Sequence, residues 1–391
     1  MMRHTLVRWA ADEIAGWERA APTPDDDPQA RIALLAPVVA ANGAEELIPS
    51  WGADVPPHAW VELQLRARHA DRWSKWFRVA VWDSAESASR RSSFGSQADA
   101  DGRLATDTLL LIAPADAVQA RALLCAAPGA DMPELESLAL ALMTVDGGRW
   151  TVDGGRWTDD GRATSDDRRP TTDDRLASTD DAPPSSDGAL SAIGYRLSAI
   201  TMPLLLSQYL SDPESGQRWC SPVALTMTLA YWHARTGDAR LLPFTSYASV
   251  LERAVPLCFD PGWEGTGNWA FNTALAASLG LTAYVTRLHS LEQLARWTAA
   301  GVPVPISIRW DEGELEGLTS RSSGHITVVT GFAGERVLMA EPAAREQATV
   351  ARSYSAAQLF GCWQRAAQGV VYLIYPQGWA RPAPGDGDAW A

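Results

Sequence analysis

The chain has 391 residues, a formal net charge of −14, 46% hydrophobic and 20% charged residues. That is a globular balance in a chain too long for one ordinary core, so two domains are expected. The acidity sets aside nucleic acid and anionic membranes, which call for concentrated positive charge. No apolar run approaches the roughly 18–20 residues that span a bilayer.

The first segment, 1–29, begins "MMRHTLVRWAADEIAGWERAAP". Its basic residues are soon followed by acids, and it lacks the apolar core of a secretory signal. As it stands this reads as cytoplasmic; a mis-assigned start codon would make the protein secreted. Residues 30–143 read as an all-β sandwich domain. "AWVELQLRARH" and "RWSKWFRVAVWDS" alternate apolar with polar residues, and "TDTLLLIA" and "VQARALLCAA" supply two more strands between Gly, Asp and Pro turns. Asp99 and Asp101 in "QADADGRLATD" lack the third early acid and the Glu of a calcium loop, so a plain Asp/Gly turn is expected. Trp51, Trp60, Trp73, Trp76 and Trp82 are either core or, if exposed, a platform for a glycan or cell-wall ligand.

Residues 144–190 hold a seven-residue repeat, "TVDGGRW TVDGGRW TDDGRAT SDDRRPT" and onward, with eleven Asp against six Arg up to residue 188. With Gly, Pro, Asp and Thr dominant and no pair of apolar positions per copy, it cannot form a coiled-coil seam or bury a core. It reads as a disordered acidic linker rather than a binding arm. Residues 195–378 follow an α+β pattern. Helices are expected at 221–236, 268–279 and 290–301, then strands in "TAYVTRL", "VPVPISIRW", "HITVVTGF", "ERVLMAEP" and "GVVYLIYP". Residues 379–391 form a tail.

The four cysteines, Cys125, Cys220, Cys258 and Cys362, form no C-x-x-C pair and have no histidine at ligand spacing. No metal or cofactor is expected. A disulfide such as Cys258–Cys362 would need an oxidising compartment that nothing in the sequence indicates. Cys220 opens "CSPVALTMTLAYWHARTGD", with Pro222 in the first turn, one apolar face and Gly237 as the stop. A sulfur at a helix N-terminus is where the helix dipole favours a thiolate, though a buried inert cysteine would fit there too. His325 begins the strand "HITVVTGF", and the chain returns as "RVLMAEPAA". A hairpin centred on Ala333 would set His325 directly opposite Glu341. An imidazole held by a carboxylate is what general-base activation of a thiol requires.

"WCSP" opening a helix, "GHITVVTGF" on a strand and "EPAA" after the next resemble the double-glycine (bacteriocin-leader) cysteine peptidases. They are closest to the stand-alone C-thirty-nine-like branch, with a papain-like fold. "SQ" at Ser207–Gln208, "GTGNWAFN" from Gly265 to Asn272 and "VTRL" at 285–288 extend the resemblance over 200–376. "ELIPSWGADVPPHAWVELQ" and "DADGRLATDT" resemble the N-terminal domain of bacterial members. The resemblance implies Cys220 as nucleophile, His325 as general base and Gln208 as oxyanion donor, with Gln217, nearer in sequence, as the alternative. The third member is usually Asp before "PA"; here Glu341 adds a methylene, which moves the carboxylate by roughly one bond length. Trp219, Asn268 and Trp269 are candidates for lining the substrate cleft, although "GTGNW" also reads as a turn packing Trp269 on the sheet. With no G-x-x-x-x-G-K-[ST] loop and no membrane segment, a transporter-coupled role is not expected. The expected function is peptide hydrolysis through a Cys–His–Glu triad and an acyl-enzyme, on a peptide or protein substrate. An acyl or γ-glutamyl transferase or amidase at the same site, or a weakened peptidase-like binding protein, are the alternatives.

Overall fold

The computed structural model describes residues 2–84, 90–95, 97–145, 198–210, 215–318, 320–385, 388 and 390. From residue 146 on, the repeat read as a linker lies outside them.

The first half is built from β1 (Met2–Ala10), β2 (Glu18–Ala20), β3 (Ala30–Leu35), β4 (Val39–Asp54), β5 (Ala59–His69), β6 (Arg72–Trp73), β7 (Phe77–Trp82), β8 (Ser92–Ser93), β9 (Gly102–Ala105), β10 (Thr108–Ala126) and β11 (Glu134–Val145). They pair antiparallel in one network with the spine β1-β11-β4-β10-β5-β7-β8. The half is all-β and antiparallel, and β10 is one strand where the sequence suggests two. It pairs with β9 near its start and with β5 and β3 toward its end. Its register with β4 breaks between Leu110 and Ala117, where Ile112 turns out to solvent. Such an irregularity lets a strand bend and change partners instead of ending. The segment 1–29 does not stand apart, since β1 pairs with β11 from Met2↔Val145 to Ala10↔Ser137.

Alternation along β10 serves both faces of the sheet. Val118, Ala120, Ala122 and Leu124 enter the main core, whereas Leu123 and Cys125 meet Trp60, Val81 and Ala33 in a smaller one. Trp51, Trp60 and Trp82 are core residues. Trp73 and Trp76 are half-buried and hold the Arg66 guanidinium 4.3 and 4.4 Å from their ring centroids. Asp99 sits in a turn, its Oδ1 accepting from the N–H groups of Asp101 and Gly102 at 2.8 and 3.1 Å. Lys75 pairs with Asp99 at 3.0 Å, and Arg72 pairs with Asp101.

The second half contains β12 (Ser198–Ala199), β13 (Leu281–Arg287), β14 (Val304–Trp310), β15 (Ser322–Ala333), β16 (Arg336–Ala340), β17 (Ala351–Ser355) and β18 (Val370–Pro376). They make an antiparallel sheet in the order β13-β18-β14-β15-β16-β17, with β12 beside β15. Its longer helices are α1 (Cys220–Thr236), α2 (Trp269–Ser278), α3 (Leu291–Ala299) and α4 (Ala356–Ala367). Local chemistry sets their ends. Asn268 caps α2 by accepting from the Phe271 N–H, and Ser290 with Gln293 forms a capping box on α3. α4 goes beyond the three expected helices and buries Leu359, Cys362 and Trp363 at helical spacing.

The halves share one apolar core. At Gly52 of β4 a Cβ would come 2.9 Å from the Ala277 Cβ, so only glycine lets α2 approach this closely. Around that contact, Arg287 pairs with Glu46 at 2.7 Å, both nearly buried. The Val285 N–H donates to Ser50 Oγ at 3.1 Å and the Ser93 N–H to Asp260 Oδ1 at 2.8 Å. Asp107, in the turn before β10, reaches the first turn of α2 and accepts from the Trp269 N–H at 2.6 Å.

Candidate active site

Cys220 is the first residue of α1. Trp219 ahead of it makes no side-chain cap, and Gly237 closes the far end in the left-handed region at φ 73°. The helix is buried nearly all round rather than on one face: it lies between the sheet, α2 and the turn at Ala239–Phe244. Ser221, next to the cysteine, is fixed by a 2.9 Å hydrogen bond with the Tyr372 hydroxyl.

His325 lies on β15 and is hydrogen-bonded to the Cys220 sulfur. Its Nε2 meets Glu341 Oε1 at 2.5 Å, which leaves Nδ1 for the sulfur. Trp310 on β14 stands edge-on to the imidazole, 5.5 Å between centroids. The structure thus brings Cys220, His325 and Glu341 together.

The hairpin that does this differs from the one expected. β15 and β16 pair as Ala333↔Arg336, Phe332↔Val337 and Gly331↔Leu338, then shift to Val329↔Met339 and Val328↔Ala340. Continued by one step, Glu341 stands opposite Thr327. The expectation of directly opposed His325 and Glu341 is therefore corrected: they are diagonal neighbours on one face, a separation that long side chains can bridge. The shift decides this. Had the pairing run unbroken through Thr330, Glu341 would fall opposite Val328 and point away from His325.

Burial opposes ionisation of the Cys220 thiol, but the hydrogen bond and charge of His325, with the Ile326 N–H, outweigh it and hold the thiol below its ordinary value. Burial likewise disfavours the imidazolium; the Glu341 charge and the bonds to Cys220 and Glu341 overcome it and raise His325 to about 10. Against burial again, His325 and the Ala343 N–H hold the Glu341 carboxyl below the usual range. All three shifts run toward thiolate, imidazolium and carboxylate in a row.

Gln208 is buried beside this row, its backbone N–H donating to the Pro342 carbonyl at 2.8 Å. Its side chain is hydrogen-bonded to the Tyr209 phenol, and its Oε1 has no hydrogen-bond partner among the described residues. Gln217 is exposed on the turn Ser215–Arg218. Trp219 and Trp269 are half-buried. Asn268, the other cleft candidate, is buried: its Nδ2 donates to Asp260 Oδ2 at 2.9 Å and its Oδ1 caps α2. Thr266 Oγ1 bonds the Arg218 carbonyl and Arg218 Nη1 the Glu264 carbonyl, so the "GTGNW" turn adjoins the segment that leads into Cys220.

Reading the sequence missed Tyr354, whose hydroxyl donates to Glu341 Oε2 at 3.1 Å, and the Ala343 N–H, which donates to Oε1 at 2.8 Å. Neither carries a local signal; sheet register and the turn after Glu341 bring them in. None of Cys125, Cys220, Cys258 and Cys362 is in a disulfide.

A helix-opening cysteine, a strand histidine and a buried acid on a mixed α/β framework with antiparallel sheets define the class. Residues 204–371 match the Peptidase C39-like family, and residues 29–143 match the Peptidase C39 N-terminal domain. On these two matches the chain belongs to the C39-like peptidases. Among solved structures, a Bacillus anthracis protein described as C39-like shares 15% identity, covering 46% of this chain and 97% of that one, with a TM-score of 0.32. No curated protein matches the chain.

Proposed function

We propose that the protein is a cysteine peptidase with a papain-like catalytic half, hydrolysing peptide bonds through Cys220, His325 and Glu341. The observation that carries this is the continuous hydrogen-bonded row from the Cys220 sulfur through His325 to Glu341. The thiolate attacks the peptide carbonyl carbon. As the tetrahedral intermediate collapses and the C–N bond breaks, His325 gives its proton to the leaving amine. The imidazole, now neutral, takes a proton from water as that water attacks the thioester. The acid leaves and the thiolate returns. Glu341 holds the ring in place and favours its charged form throughout.

The developing oxyanion takes the Cys220 N–H and the Gln208 side chain as donors. The two ends of an amide are assigned by hydrogen bonding. Turned over, Gln208 Oε1 would accept from Tyr209 and Nε2 would be free to donate, which removes the unpartnered buried oxygen. Replacing Cys220 with Ala tests the reading: turnover of a peptide library and labelling by thiol-directed acyl probes are both expected to vanish, with the thermal midpoint retained. Unchanged turnover would refute it.

A further inference from the structure

We propose that Tyr354 is a positioning residue for this site, its hydroxyl fixing the second oxygen of Glu341 so that the first meets His325 in one orientation. The proposal rests on the peptidase reading above.

Tyr354 is fully buried on β17 and pairs with Val337 of β16. The same ladder runs on to the Glu341 N–H, which donates to the Val350 carbonyl at 2.8 Å. Residues 350, 352 and 354 therefore share a sheet face with Glu341. Arg352 Nη1 donates to the Tyr354 hydroxyl at 3.2 Å. A guanidinium can only donate, so the one proton of the hydroxyl is directed to Glu341 Oε2, 3.1 Å away.

A carboxylate turns about a broad, roughly two-fold terminal torsion, and glutamate carries one more rotatable bond than the aspartate that the resemblance leads one to expect. Ala343 holds Oε1 and Tyr354 holds Oε2, which removes that freedom. A tyrosine present only to fill the core would need its ring and not its hydroxyl. That difference can be measured.

The experiment follows iodoacetamide alkylation of Cys220 against pH in the full chain, read by mass spectrometry of the Cys220 peptide so that the buried cysteines do not contribute. The wild type is expected to react well below the ordinary thiol range of about 8.5. Tyr354→Phe is expected to move the acid limb up by about one pH unit, a tenfold loss of thiolate at the lower pH. It should also lower kcat/KM by about tenfold, mostly in kcat. In a Glu341→Gln background the same change should have no further effect. A Tyr354→Phe profile superimposed on the wild type, or an equal loss in the Glu341→Gln background, overturns the proposal. A wild-type Cys220 that reacts as an ordinary thiol instead overturns the peptidase reading itself. Should Tyr354→Phe not fold, Arg352→Met removes the bond that aims the hydroxyl; a smaller shift in the same direction supports the proposal, and none overturns it.

Discussion

Glu341 is the residue on which the proposed chemistry turns. Its carboxylate is fully buried, yet it ionises because His325, Ala343 and Tyr354 all direct hydrogens at it. The sign of its contribution to stability follows from linkage. With its pKa held below the ordinary 4.5, Glu341 stabilises the fold above about pH 4.5 and ceases to as pH falls further. His325, raised from 6.5 to about 10, stabilises the fold below about pH 6.5, and its contribution disappears as pH climbs toward 10. Glu341→Gln removes the charge that supports the imidazolium. The alkaline limb of kcat/KM is therefore expected to move from near 10 toward 6.5, and the acid limb upward. A pH–rate profile that kept its alkaline limb would assign the raised His325 pKa to another group.

Among the elements, the β15–β16 hairpin shows how much a single residue decides. Its turn closes at Ala333↔Arg336, and unbroken pairing from there would put Glu341 on the wrong face. The extra residue at Thr330, next to Gly331 at φ 154°, restores the correct parity. Deleting Thr330 removes the bulge yet keeps Thr327 opposite Glu341, so the low-pH Cys220 thiolate is expected to survive the deletion, whereas Glu341→Gln should lose it. A Cys220 that became an ordinary thiol on the deletion would show that the hairpin had re-paired out of this register. The helices are easier to read than this hairpin: α1, α2 and α3 fall within two residues of their expected ends because caps and Gly stops are local signals. A bulge is not. It conserves alternation on both sides and shows only when the two strands are laid together. β10 went unread for a related reason, since its mid-strand irregularity resembles a loop from the sequence alone.

For the molecule as a whole, the β-rich half behaves as part of one body with the mixed half rather than as an appended module. It supplies Glu46 to Arg287, Ser50 to Val285 and Asp107 to the N-terminus of α2. Asp107 is costly in this position. Burial raises its pKa from 3.8 to about 6, despite the Trp269 N–H, the Thr108 hydroxyl and its own N–H. A raised acid destabilises the charged folded state, so its penalty is absent below about pH 3.8, grows up to about pH 6 and then stays constant. Asp107→Asn keeps an acceptor for the Trp269 N–H without the charge. Urea unfolding is expected to show stability at pH 7.5 undiminished and a flatter dependence between pH 4 and 6. A lower midpoint at pH 7.5 would mean that α2 needs the negative charge at its first turn.

The sequence by itself determined that Cys220 opens a helix, that His325 lies on a strand and that an acid closes the next one. Capping, Pro and Gly placement and strand alternation act within a few residues, so they can be read along the chain. It also determined the division into a β-rich half and a mixed half, through composition and periodicity. Only the tertiary structure decided that Glu341 meets His325 diagonally across a bulge, that Tyr354 and Ala343 hold it, that Asn268 is a buried cap, and that Asp107 reaches into the other half. Each of these depends on pairings between residues distant along the chain, whose register and packing arise from the whole core at once.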